Sequence, residues 1–353
     1  MRKQVVFCFL CLFWVSSSLV HGQVKQRVGL EGHSGWILAH ASDLIPVSQS
    51  QPWGASLNYS WLNTDRKKWE VCNCFHYLGA ILTYHNFNNP DVLGSALSLS
   101  LLFEPILWKH KNWEFSLRSG IGASYLNRVY DEIENPDNTF FSAPISFLLF
   151  VNPVLSYELD PQWRVNIGFH YNHISNGGQK QPNRGINYPM VGFGVAHILN
   201  PVTLPNYERA EIPQQWQWYL ETAYTTRENQ QDPQQGRNAV VSLVGGAYKS
   251  LTAINALGAG LEVSWDRSLQ VESKSTEALL TAPYVAHHFL FGRVDFSQRM
   301  GIYLNKPSGY VENLFYQRYL LTYSIGANLT FGASMKVHGH VAENIDVRLG
   351  WKF

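Results

Sequence analysis

An all-β fold, an antiparallel transmembrane β-barrel of about 14–16 strands, is predicted by three features of this 353-residue sequence. Many segments alternate apolar and polar residues, and none has the length and roughly 3.6-residue period of a substantial amphipathic helix. Aromatic residues make up 14% of the chain, a share that suits strands and a membrane interface. The third feature is the last segment. Ile345, Val347, Leu349, Trp351 and Phe353 share one face, and Asp346, Arg348, Gly350 and Lys352 share the other. Burying that second face in a soluble sandwich would strand three charges in the core, which is costly unless they are paired. Facing a polar lumen costs little. The apolar face then meets hydrocarbon, with Trp351 and Phe353 near the interfacial girdle.

In chain order, the first element is a leader. Arg2 and Lys3 precede an apolar run from Val5 to Val15, and small or polar residues follow, so residues 1–22 are expected to be a signal peptide. The run is too short for the roughly 20 apolar residues of a spanning helix. Strand-like stretches follow near 27–42, 51–62, 76–86, 94–107, 112–126, 142–158, 161–175 and 187–200. The second half continues the pattern near 214–228, 238–249, 252–265, 284–293, 298–306, 316–326, 328–337 and 340–353. Trp216, Trp218, Leu220 and Tyr224 line one face of the first of these, and Tyr319, Leu321, Tyr323 and Ile325 line one face of a later one. Residues 23–353 are therefore expected to form a single barrel domain without an appended soluble module. Tight links at Asp160-Pro161 and Lys249-Ser250 belong on the periplasmic side if both termini do. The longer segments near 128–141, 175–187, 229–237 and 266–283 then face outward, and 200–213 is a long periplasmic exception.

Charge and cysteine content exclude other classes. A formal net charge of +1 gives no global case for nucleic-acid binding. Cys8 and Cys11 would leave with the leader; Cys72 and Cys74 alone indicate neither a disulfide scaffold nor a metal site.

The segment 163–175 carries the chemistry. Trp163, Val165, Ile167, Phe169 and Tyr171 form an outward apolar stripe that His173 and Ser175 continue, while His170 falls on the luminal face. On the next strand Asn187 shares the apolar face with Pro189, Val191, Phe193 and Val195. A serine hydroxyl becomes nucleophilic when a histidine takes its proton, and a third group holds the imidazole tautomer. Asn176 and the Gly177-Gly178 backbone could supply donors to a developing oxyanion. A Ser-Asn-Gly-Gly turn is also a common structural turn. His287, His288, His338 and His340 read as structural, and opposite facing makes His170 and His173 a poor metal pair.

His173-Ile-Ser175-Asn176-Gly-Gly178, followed by Lys180-Gln181-Pro182-Asn183 and Gly185-Ile186, resembles the signature of the lipid A deacylases of the PagL type, described more broadly as acyloxyacyl hydrolases. The terminal Phe353 similarly resembles the assembly signal of bacterial outer-membrane proteins, which implies recognition by their assembly machinery. The family resemblance covers about fifteen residues and implies an outer-membrane enzyme that needs no metal or organic cofactor. It implies ester hydrolysis on lipid A of lipopolysaccharide at the outer leaflet. Ser175 would be the nucleophile, His173 the general base, and Asn176 with Gly178 the oxyanion hole. Asn187 stands where the family pattern has Glu. An amide can fix the imidazole tautomer but cannot offset its positive charge. Asp131, Glu132 and Glu134, in an outer loop, are alternative acids. Lys180 and Arg184 are candidate phosphate contacts. The same sequence also admits a channel with a wide hydrated lumen, or a catalytically silent structural or binding barrel.

Overall fold

Strand pairing divides the chain into two rings. In a computed structural model, residues 23–177, 180–208, 215–228, 236–269, 278–307, 310–339 and 341–353 are described. The first ring contains β1 (Val24–Gly35), β2 (Trp53–Asn63), β3 (His76–Asn86), β4 (Ser95–His110), β5 (Trp113–Leu126), β6 (Ile145–Glu158), β7 (Trp163–Ser175) and β8 (Ile186–Ile198). It closes by antiparallel pairing of β8 back onto β1. The second contains β9 (Gln217–Glu228), β10 (Arg237–Ser250), β11 (Asn255–Asp266), β12 (Leu279–Phe291), β13 (Val294–Ile302), β14 (Phe315–Ile325), β15 (Leu329–His338) and β16 (Val341–Lys352). It closes through β16 on β9.

Among the described residues there are sixteen strands, within the expected 14–16, and the expectation of one barrel over 23–353 is corrected to two of eight. Closure depends on which distant strands pair, and periodicity along a strand carries no information about that choice. The segment near 200–213, read as a long periplasmic link, is where one ring ends and the next begins. The leader expected at 1–22 lies outside the described residues.

Each ring presents its apolar stripe outward, as alternation requires. Ile345, Val347, Leu349 and Trp351 are about half exposed, whereas Asp346 and Arg348 between them are buried. The inward charges are paired. In the first barrel Glu104 receives Arg27 at 2.6 Å and Arg118 at 2.9 Å, and Ser116 donates to it as well. In the second, Glu221 receives Arg299 at 2.7 Å and Arg348 at 2.9 Å, while Glu262 holds Arg318 at 2.6 Å. An eight-stranded ring is only wide enough for side chains to fill. The wide lumen of a channel is thus replaced by two packed interiors.

The chain enters the first barrel at Val24 and leaves the second at Lys352 on the same end. The tight links at 159–162 and 251–254 lie there too, as does the turn in which Cys72 and Cys74 are disulfide-bonded to each other. At the opposite end an apolar cluster caps the first barrel. Leu44, Phe87, Leu93, Phe140 and Phe141 from the loops pack with Ile174, Ile186 and Tyr188 from the strand ends. That cap is the floor on which the site is built.

Candidate active site

The β7–β8 register puts His173 directly opposite Asn187, and a period of two puts Ser175 on the same face as His173. Three side chains therefore stand in a row on the outer surface of the barrel, at the rim away from the termini. The Ser175 hydroxyl donates to His173 Nε2 at 3.0 Å, and His173 Nδ1–H donates to Asn187 Oδ1 at 2.7 Å. Both joints have the hydrogen-bond geometry that a nucleophile–base–orienter arrangement requires. With Nδ1 carrying its proton toward Asn187, Nε2 is the free lone pair that faces the hydroxyl.

The surroundings are apolar and half-buried. On β6, Phe147 lies opposite Ser175 and Leu149 opposite His173. On the other side, Trp36 and Leu38 continue past the end of β1 and pair with β8: Leu38 N–H donates to Asn187 O at 2.8 Å and Trp36 N–H to Pro189 O at 3.1 Å. Asn187 is thereby held by strands on both sides. Phe147, Tyr171, Leu38 and Trp36 are all exposed, giving a greasy surface around a polar row.

The loop after Ser175 is fastened to the 127–144 loop. Arg184 and Gly185 donate their backbone N–H groups to Thr139 O and Phe140 O, and Ser142 Oγ donates to Lys180 O at 2.9 Å. Asn176, an expected oxyanion donor, is buried and works inside this scaffold. Its side-chain amide donates to Lys180 O at 2.7 Å, and its backbone N–H donates to Asn183 Oδ1 at 2.9 Å. Gly178, the other expected donor, lies outside the described residues. Lys180 is exposed. Arg184 is paired with Asp43 through both terminal nitrogens, at 3.1 and 2.9 Å.

The alternative acids take no part in the relay. Asp131 Oδ1 accepts backbone N–H bonds from Glu134 and Ile133, which hold its carboxyl below the usual range. It closes a local turn, and His173 Nδ1 is already occupied by Asn187.

Gly185, which the sequence offers only as part of the signature, has a positioning role. Its φ is +70°, and a Cβ there would stand 2.7 Å from His173 Cε1 and 3.3 Å from Ser175 Cβ. Only glycine combines that backbone conformation with so close an approach to the imidazole. The two loop phenylalanines, Phe140 and Phe141, were the available sign that this outer loop folds onto the barrel instead of standing in solvent.

Two family models match the chain. Residues 53–196 match the family described as lipid A 3-O-deacylase (PagL), and residues 215–353 match the acyloxyacyl hydrolase C-terminal domain. The first match runs from β2 into β8 of the first barrel, and the second covers the whole of the second barrel. Among solved structures, the outer membrane enzyme PagL is similar at 16% identity over 47% of this chain and 97% of that one, with a TM-score of 0.36. Neisserial surface protein A aligns at 9% identity over 50% of this chain and 98% of its own, also at 0.36. A porin from Rh. blastica aligns at 12% identity over 94% of this chain and 100% of its own, at 0.21. No curated relative matches.

Proposed function

As the chain belongs to the PagL-type lipid A deacylase family of acyloxyacyl hydrolases in the bacterial outer membrane, we propose that its first barrel hydrolyses an ester-linked acyl chain of lipid A by serine catalysis at the outer leaflet. The observation that carries this reading is the continuous relay from Ser175 Oγ through His173 to Asn187, at 3.0 and 2.7 Å, on a lipid-facing surface.

Ser175 Oγ attacks the ester carbonyl as its proton passes to His173 Nε2. The tetrahedral intermediate collapses with cleavage of the ester C–O bond, and the imidazolium returns the proton to the departing sugar hydroxyl. Water, deprotonated by the same histidine, then hydrolyses the acyl-enzyme and releases the fatty acid. Asn187 Oδ1 keeps Nδ1–H in place throughout. The Gly178 backbone N–H is the oxyanion donor that the family signature implies, and Asn176 braces the chain after Ser175 through Lys180 O and Ser142 Oγ. The acyl chain lies along Phe147 and Tyr171, where it loses little by leaving the bilayer. Lys180 offers its exposed ammonium to a phosphate, and Arg184 would do so only by releasing Asp43.

The test uses the full chain folded in detergent, with fatty acid release read by mass spectrometry from lipopolysaccharide and, in parallel, from phospholipid vesicles. Release from lipopolysaccharide alone is expected. Ser175→Ala should lower the rate by about a thousandfold or more at unchanged heat-modifiable mobility of the barrel. Equal release by the variant would overturn the serine mechanism. Release only from phospholipid would overturn the substrate.

A further inference from the structure

His170, three residues before His173, points into the barrel, where it meets a polar cluster the reaction does not use. We propose that the lumen of the first barrel binds a transition-metal ion through Glu31, His33 and His170.

The donor atoms of these three buried side chains lie within 4.8 Å of one another. Drawing them to the roughly 3.4 Å spacing of tetrahedral zinc, with Zn–N near 2.0 Å, takes side-chain motion of about 1 Å. Two imidazoles and a carboxylate are a borderline donor set that suits zinc, copper or nickel over calcium or magnesium.

His33 is the observation that asks for a ligand. It is only 6% exposed, and neither ring nitrogen has a hydrogen-bond partner among the described residues. A buried imidazole with two unmet polar atoms is costly, and a metal bond answers that cost at the acceptor nitrogen. Beside it is a cavity of about 10 Å³ bounded by His33, His85, Asn152 and His170, room for one water-sized fourth ligand. The backbone has been cleared around the donors. A Cβ on Gly54 would stand 2.5 Å from His33 Nε2, and one on Gly192 would stand 2.6 Å from His170 Nε2 and 2.9 Å from Glu31 Oε1.

The outer shell also fits. Asn152 Nδ2 donates to His170 Nδ1 at 2.8 Å, which leaves Asn152 Oδ1 without a partner. Turning that amide over lets Oδ1 accept Nδ1–H, which fixes the tautomer with Nε2 free for a metal. Glu31 can bind through one oxygen while the other keeps Arg118 at 3.3 Å. His170 Nε2 and Glu31 Oε1 stand 2.5 Å apart. On metal binding the proton between them passes to Nδ1, where the turned Asn152 Oδ1 accepts it, and the Glu31 carboxylate supplies the negative charge beside the ion. Such an ion would staple β1 to β7 behind the catalytic histidine.

The probes are Zn²⁺ and Co²⁺ added to the chelator-stripped full chain folded in detergent. About one equivalent per chain is expected after dialysis, with the visible bands of four-coordinate Co²⁺ and a higher unfolding temperature. His33→Gln and His170→Gln should each lose the bands while keeping heat-modifiable mobility. Cys72→Ser with Cys74→Ser should retain them, which separates this site from the cysteine turn beside His76. Failure of the folded wild-type chain to take up stoichiometric metal would overturn the proposal. Equal uptake by the folded His33→Gln variant, or loss of uptake only in the cysteine variant, would do the same.

Discussion

The seventh strand of each barrel reaches the outer rim at a histidine, His173 in β7 and His338 in β15, and the two face opposite ways. His173 is on the lipid side with Ser175 and Asn187. His338 is turned into the lumen, where Tyr303 Oη lies 2.9 Å from its Nε2 and Glu343 lies 3.4 Å from its Nδ1. The following connections differ as well. β7 and β8 are joined across residues 176–185, which are bonded to a second loop, whereas β15 and β16 are joined across 339–340 alone. Because side chains alternate, one residue of phase decides whether a rim histidine meets a membrane substrate or a packed interior. The first barrel has the phase and the supporting loops that a reaction needs. The second has paired charges in its interior and an apolar outer stripe.

The comparison breaks most sharply at Gly185. Gly185→Ala adds a Cβ 2.7 Å from His173 Cε1 at a φ of +70°, so the ring, the loop or both must shift. Displacing a catalytic base by about 1 Å can cost about a hundredfold, and that loss is expected in kcat with KM little changed. Steady-state fatty acid release measures it. A variant as fast as wild type would show that the loop scaffold does not position the base.

Asn187→Glu should act in the opposite direction. Asn187 already supplies an acceptor at 2.7 Å, so what a carboxylate adds is charge opposite the imidazolium. A gain of about tenfold in kcat is expected, corresponding to about 1.4 kcal/mol of transition-state stabilisation. No gain, with Asn187→Ala equally active, would remove Asn187 from the relay.

Much of this was legible in the residues. The stripe from Trp163 to Tyr171 fixes which way His173 and Ser175 face without reference to any fold, and the last strand reveals its luminal charges in the same way. The longer connections fall at the end opposite the tight links, as their lengths suggest. The closure of two rings was not legible, because the pairing of β8 with β1 is a choice between distant strands that share the same alternating pattern. Nor was the position of Asn176 legible. Its place after Ser175 suggests a donor to substrate, but its side-chain amide is taken by Lys180 O of its own loop and by Ser142 Oγ of the loop folded over the rim. The luminal cluster was hidden for a related reason. His33 and His170 are far apart in sequence, and only ring closure through β8 brings them together.

The smallest effect is expected in the second barrel. His338→Gln removes an imidazole bonded to Tyr303 and near Glu343, while the apolar outer stripe of that barrel is unchanged. Fatty acid release should stay within about twofold of wild type, since nothing in the relay touches this lumen. The stability of the second barrel should fall by about 1 kcal/mol, the usual net worth of one buried hydrogen bond, as read from its denaturant midpoint. A large loss of hydrolysis with both barrels still folded would mean that the two rims are coupled. The division between a reactive first barrel and a structural second one would then be wrong, because an inward histidine would be acting on an outward site.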